Sequence, residues 1–158
     1  ELRWIRRGAS VMSPDMNTTA SPNWALSAVL GLFALVRPAV HIVASQQGID
    51  LPTLVPLALT VAITVVWVLA AVLTGDRNPV HTLAAAGLVY AVGAVVVSGV
   101  LSPLLDGELR GPLANPIAVV PMLVVNVGWG LVAGALALGV QRMGRRRRSA
   151  ALGGDPRA

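Results

Sequence analysis

The sequence has no cysteine and no lysine, and only a small fraction of its residues carry charge. The absence of cysteine excludes disulfides, thiolate metal sites and cysteine nucleophiles. All 12 basic residues are arginines, and alanine, valine, leucine and glycine are abundant, so we expect a protein from a high-GC bacterium. Charged residues make up 12% of the chain, against about 25% in a soluble domain. With 55% hydrophobic residues and a mean hydropathy of +0.73, the composition indicates an integral membrane protein.

The usual signatures of membrane-bound or soluble enzymes are also missing. The sequence contains no P-loop, no Rossmann glycine pattern, no zinc-protease motif and no Ser/His/Asp set at matching depth. No acidic residue lies within the long apolar stretches, which argues against proton-coupled transport and against a metal site. His41 and His81 are expected on opposite sides of the membrane, so they cannot share a metal ion. We therefore predict a protein that is not an enzyme and holds neither a metal nor a cofactor.

Four long apolar stretches dominate the chain. They cover residues 24–45, 52–74, 79–105 and 116–140. Each exceeds the ~20 residues that a helix needs to cross the hydrocarbon core, and none alternates as the strand of a membrane barrel would. Because the links between them are short, neighbouring spans should run antiparallel. The predicted fold is an all-α membrane protein, an antiparallel bundle of four transmembrane helices within residues 24–143.

The arginines predict the orientation of this bundle. They concentrate in the amino-terminal tail, in the 75–78 turn and after the fourth span, while the opposite side holds Arg110 alone. By the positive-inside rule both termini should lie in the cytoplasm, with the protein in the inner (plasma) membrane as a multi-pass protein.

The two tails are predicted to be disordered. Residues 1–23 are rich in Ser, Thr, Pro and Asn, and Met12 or Met16 is the expected native start, which makes residues 1–11 or 1–15 candidates for non-native sequence. Residues 144–158 are basic. The cluster next to the last span is expected to anchor the chain to anionic lipid head groups rather than to nucleic acid. It consists of Arg142, Arg145, Arg146, Arg147 and Arg148.

Arg37 is the unusual residue of the first span. An arginine well inside such a helix is costly, and by default it marks a function. Side chains on a helix lean toward its amino terminus, so Arg37 should lean away from the nearer, outer interface rather than snorkel to it. Pro38 follows directly and should kink the helix near residue 34, which frees a backbone carbonyl.

A polar layer is predicted around Arg37. Depth counting along the helices places one polar residue of each other span at the same level, namely Thr60, Ser98 and Asn126. His41 lies one helical turn from Arg37 on the same face. The nearest acids are expected in the outer loops, at Asp50, Asp106 and Glu108. Arg37 is therefore either paired with one of these acids or with a backbone carbonyl to stabilise packing, or open to an anionic ligand.

Small residues recur at helical spacing in the last two spans. They form Gly130-x-x-x-Gly134, Ala135-x-x-x-Gly139 and Gly87-x-x-x-Ala91. Such faces allow close helix contact, and we expect them to pack within the bundle rather than to form a dimer.

Two functions remain open from the sequence. The first is an accessory or structural component of the membrane, working within a larger membrane complex. The second is a binding or transport module for an anionic or amphipathic ligand, such as a lipid or a small carboxylate. In the second case the ligand would contact Arg37, His41, Thr60, Ser98 and Asn126, and the module would act as a homodimer because four helices are few for a transport path.

Overall fold

The computed structural model describes residues 21–106 and 113–152, and this part of the chain is helical without a strand. The helices are α1 (Trp24–Ala34), α2 (Val36–Gln46), α3 (Leu54–Leu73), α4 (Pro79–Asp106) and α5 (Val119–Leu152), with a short 3-10 turn at Pro116–Ala118. Within the described residues, four segments are long and apolar enough to cross a membrane: Trp24–Gln46, Leu54–Leu73, Pro79–Leu104 and Pro116–Ser149. The all-helical class is confirmed, and so is the presence of four helical segments long and apolar enough to cross a membrane.

The first span is broken at Leu35, between α1 and α2. Pro38 has no N–H, so it cannot donate to the carbonyl of Ala34 as a helix would require. Just before the proline, the backbone N–H of Leu35 donates to the carbonyl of Leu32, three residues back, at 3.0 Å. This 3-10-type bond tightens the last turn of α1. The predicted kink near residue 34 is therefore confirmed. Its effect is to place Arg37 in the first turn of a separate short helix.

Glycines allow α4 and α5 to pack at very short distance. A Cβ atom on Gly130 would lie 2.2 Å from the carbonyl oxygen of Leu83, and one on Gly87 would lie 2.2 Å from the carbonyl oxygen of Asn126. Gly134 likewise faces the backbone of α4. These small-residue faces pack within the chain, as predicted. The face of Gly139 is different, because nothing lies within 4 Å of the position that its Cβ atom would take.

The core lies where α1, α3, α4 and α5 meet. α4 contacts α5 most extensively and α1 next. The buried cluster contains Leu30, Ala34, Ile63, Trp67, Ala71, Leu83, Ala86, Tyr90, Ala94, Ala133 and Ala137. Many large hydrophobic side chains remain on the outside, among them Val61, Leu69 and Val124. An apolar exterior of this kind suits a lipid environment.

Polar side chains join the helices at the end of the bundle that contains the 75–78 turn. The hydroxyl of Ser27 donates to the carbonyl of Thr82 at 2.8 Å, and both side chains are fully buried. The amide of Gln141 in α5 donates to the carbonyls of Ala71 and Asp76, at 3.0 and 3.2 Å. These bonds tie α1 to α4, and α5 to the turn that follows α3.

The carboxy-terminal part of the chain differs from the prediction. The sequence predicts disorder for residues 144–158, but α5 continues to Leu152. Residues 145–152 contain only Arg, Ser, Ala and Leu, most of which favour helix, and neither Gly nor Pro interrupts them. The predictions for residues 1–20 and 153–158, and for Glu108 and Arg110, lie outside the described residues.

Candidate functional site

Arg37 lies at the break in the first span, and part of its guanidinium is buried without a partner. The side chain is half-buried. Its Nε atom is shielded from solvent and makes no hydrogen bond. A buried donor without a partner costs free energy of about 1–3 kcal/mol, and more when it carries charge. A hydrogen-bond acceptor beside the Nε of Arg37 would therefore stabilise the protein.

A small cavity of about 40 Å³ opens beside Arg37. Its lining comes from α1 to α5 and consists of Ala34, Arg37, Thr60, Ile63, Thr64, Trp67, Tyr90, Asn126 and Trp129. Among the described residues the lining contains no Asp or Glu, so none of them supplies Arg37 with a counter-ion there. The space holds a few water molecules or one small polar group.

Both threonine hydroxyls of the cavity already donate a hydrogen bond to the backbone. Thr60 Oγ1 donates to the carbonyl of Pro56 at 2.9 Å, and Thr64 Oγ1 donates to the carbonyl of Thr60 at 2.7 Å. Such bonds to the preceding turn are the usual choice of a helical threonine. What these two hydroxyls can still offer a ligand is acceptor capacity only.

The donors of the cavity come from other residues. Arg37 supplies a fork of N–H groups, and Tyr90 supplies a phenolic hydroxyl from α4. The amide nitrogen of Asn126 donates one hydrogen to the carbonyl of Met122 at 2.7 Å, which leaves its second hydrogen. A permanent positive charge with neutral donors around it is a setting for an anion, and one positive charge matches a monoanion.

Two tryptophans line this cavity, one buried and one exposed. Trp67 is 3% exposed, and its indole N–H donates to the carbonyl of Leu30 at 3.0 Å, so it closes the cavity toward the core. Trp129 is 47% exposed, and its indole N–H donates to Thr64 Oγ1 at 2.9 Å. The side of the cavity between α3 and α5 therefore reaches the protein surface.

The predicted polar layer is brought together in part. Arg37, Thr60 and Asn126 line the same cavity. Ser98 is partly buried but is not among the lining residues. His41 is exposed and lines a second, larger cavity of about 390 Å³ at the end of α2, together with Asp50.

Four residues line the cavity although the sequence pattern does not single them out as site residues. They are Thr64, Trp67, Tyr90 and Trp129. The depth of Tyr90 could have revealed it. It lies about 17 Å from the start of α4, close to the ~20 Å that separates Arg37 from the start of α1. Counting from the carboxy-terminal end of α4 points to Ser98 instead. The two counts disagree because α4 is 28 residues long, whereas α3 has 20, so depth counted from the carboxy-terminal end of α4 is misleading.

The basic cluster forms a separate feature on α5. Arg142, Arg145, Arg146, Arg147 and Arg148 are all exposed and all helical. Among the described residues, no group of three or more His, Cys, Asp or Glu is placed to hold a metal ion. No protein family, no curated protein and no solved structure matches this chain.

Proposed function

We propose that this chain is an integral membrane protein that binds the anionic group of an amphipathic ligand at Arg37. The observation that carries the proposal is the buried, unpartnered Nε of Arg37 beside a cavity whose described lining residues include no carboxylate. An arginine at the centre of a membrane helix costs about 2.5–3.5 kcal/mol even by the lowest estimates. An anion in the cavity would offset this cost by a charge-assisted hydrogen bond.

We propose further that the chain crosses the membrane four times in an antiparallel bundle with both termini in the cytoplasm. The bonds of Ser27 to Thr82 and of Gln141 to Asp76 support this arrangement, since they bring the start of α1, the 75–78 turn and the late part of α5 to one end. Arg77 and the basic cluster lie at that same end, where they would meet the anionic head groups of the cytoplasmic leaflet.

An accessory role within a larger membrane complex is a second candidate. In three of the four spans, at most 22% of the most apolar window is buried within the chain. The lateral surface left over is large enough for partner helices, and the open face of Gly139 would allow a close approach. In that case Arg37 would meet an acid of the partner.

The test is to extract the protein gently from its native membrane and to identify the acidic amphiphiles and proteins that remain bound, by mass spectrometry. Arg37→Gln keeps the polar character and removes the charge. Wild type should retain an acidic amphiphile that the variant loses. His41→Gln serves as the control, because His41 lies one turn away and lines the other cavity.

Two results would count against ligand binding. If wild type and Arg37→Gln carry the same amphiphiles in the same amounts, no anion depends on Arg37. If Arg37→Gln instead loses a co-purifying protein, the accessory role is favoured. In both cases a circular-dichroism spectrum must first show that the variant retains its helix content.

A further inference from the structure

The opening of the Arg37 cavity lies at a depth where water-soluble molecules do not reach. Trp129 is about 15 Å from the start of α5, and Thr64 is about 15 Å from the start of α3. The hydrocarbon core is about 30 Å thick, so both residues lie near its middle. The surface beside them is apolar, with Val61, Val65 and Val125 exposed.

The walls of the cavity on the α1 and α4 sides are closed. Ala34 of α1 is 2% exposed, and Tyr90 of α4 is likewise buried. The exposed side chain at the rim is Trp129, which is hydrogen-bonded across the gap between α3 and α5 to Thr64. The exposed rim at Trp129 therefore favours a route between α3 and α5, sideways from the lipid.

The size of the cavity restricts what can enter. At about 40 Å³ it accepts a planar carboxyl group but not a whole ligand, so the rest of the molecule must stay outside, against the apolar helix surface. One arginine neutralises a single negative charge, which suits a carboxylate better than a phosphate monoester with its larger group and second charge.

We infer that the ligand is a long-chain monocarboxylic acid that reaches Arg37 from within the membrane, between α3 and α5, with its hydrocarbon chain left in the lipid. This inference rests on the proposed function and adds the chemical class and the route. The Trp129–Thr64 hydrogen bond spans this opening and narrows it.

The first experiment measures binding to the full-length protein in nanodiscs of uncharged lipid. The probes are oleate, butyrate, oleyl alcohol and oleyl phosphate, and Arg37→Gln measured in parallel accounts for partition into the lipid. We expect wild type to bind oleate about tenfold or more tightly than Arg37→Gln does, as expected for one lost charge-assisted bond. Butyrate and oleyl alcohol should show no difference between the two proteins, and oleyl phosphate should bind more weakly than oleate.

The outcomes separate this inference from the function it rests on. If butyrate binds as tightly as oleate and depends on Arg37, the site is reached from water, and the inference fails while anion binding stands. If oleyl phosphate binds more tightly than oleate, the assigned carboxyl class is wrong. If none of the three anions depends on Arg37, both the inference and the proposed function fail.

The second experiment tests the route. Thr64→Val and Trp129→Phe each remove the bond across the opening, so each should raise the association and dissociation rates of oleate severalfold. Thr74→Val is the matched control, since Thr74 lies at the end of the same helix and donates only to its own preceding turn. Unchanged rates in both opening variants, in proteins whose helix content by circular dichroism matches wild type, would overturn the proposed route.

Discussion

At the scale of single residues, Arg37 is the most informative position. Its Nε is buried and unpartnered, and no acid lines the cavity around it in the part of the chain that the structure describes. Under the proposed function, Arg37 lowers stability while it serves binding, as often happens at binding sites. An arginine that served packing would instead be satisfied by partners within the chain.

The stability of Arg37→Leu tests this distinction. In detergent without added ligand, we expect the variant to melt at the same temperature as wild type or a few degrees higher, because a half-buried charge with an unpartnered, shielded Nε has been removed. Thermal unfolding followed by circular dichroism measures the change. A drop of several degrees would mean that Arg37 is held by structural partners, which contradicts the ligand-site assignment.

For Trp67 we expect the opposite effect, a loss of stability on substitution. It is 3% exposed, and its N–H bonds the carbonyl of Leu30. Trp67→Phe should lower the free energy of unfolding by about 1–3 kcal/mol through the lost bond and the void left behind. Trp24→Phe is the control, since Trp24 is 60% exposed and should change stability by less than about 0.5 kcal/mol.

At the scale of helices, the close contact of α4 with α5 depends on glycines, which carry no side chain. Gly130→Ala would place a methyl group 2.2 Å from the carbonyl oxygen of Leu83, so the two helices must separate. We expect a loss of about 1–3 kcal/mol, the cost of overpacking a well-packed contact. Equilibrium unfolding in mixed detergent micelles gives the value.

Gly139→Ala on the same helix is the matched substitution. Nothing lies within 4 Å of the added methyl group, and alanine favours helix over glycine by about 1 kcal/mol. We expect this variant to be as stable as wild type or slightly more so. If both substitutions destabilise equally, the contact of α4 with α5 is not as close as the structure has it.

Gln141 holds the turn between α3 and α4 to α5. It is 9% exposed, and its amide satisfies the carbonyls of Ala71 and Asp76. Gln141→Leu should lower the free energy of unfolding by about 1–3 kcal/mol because the carbonyl of Asp76 loses the Gln141 donor, while that of Ala71 keeps the backbone N–H of Asp76. Hydrogen exchange should rise in the 75–78 turn. Unchanged exchange there would show that the turn does not depend on Gln141.

The positions of the helices were predictable from the sequence, but the rotation of each helix about its axis was not. Hydrophobic length places the start of α4 at Pro79, as predicted. Depth counting also found Arg37, Thr60 and Asn126. It could not show that Tyr90 rather than Ser98 faces the cavity, because α4 is apolar on all sides and carries no amphipathic signal for its orientation.

His41 shows a second limit of sequence patterns. It shares a helix face with Arg37, yet it is exposed. The reason is that α2 contacts the other helices sparsely after the break at Leu35, so its last turns are not covered. A face of a helix becomes a site only where other helices pack against it.

At the scale of the whole molecule, the proposed orientation decides which side of the membrane each end of the bundle meets. The arginines of the 75–78 turn and of α5 gather at one end, and the loop after α2 lies at the other. If the positive end is cytoplasmic, the basic part of α5 extends the helix past the membrane and into the zone of anionic head groups.

The lack of cysteine makes this orientation directly measurable. Ser149→Cys and Gln47→Cys each introduce a single thiol at an exposed position, one in the basic end of α5 and one just after α2. In intact cells a membrane-impermeant maleimide should label Gln47→Cys and leave Ser149→Cys unlabelled until the cells are permeabilised. The reverse pattern would place the termini outside. It would also carry the basic cluster away from the anionic leaflet, and the proposed anchoring of α5 would then have to be abandoned.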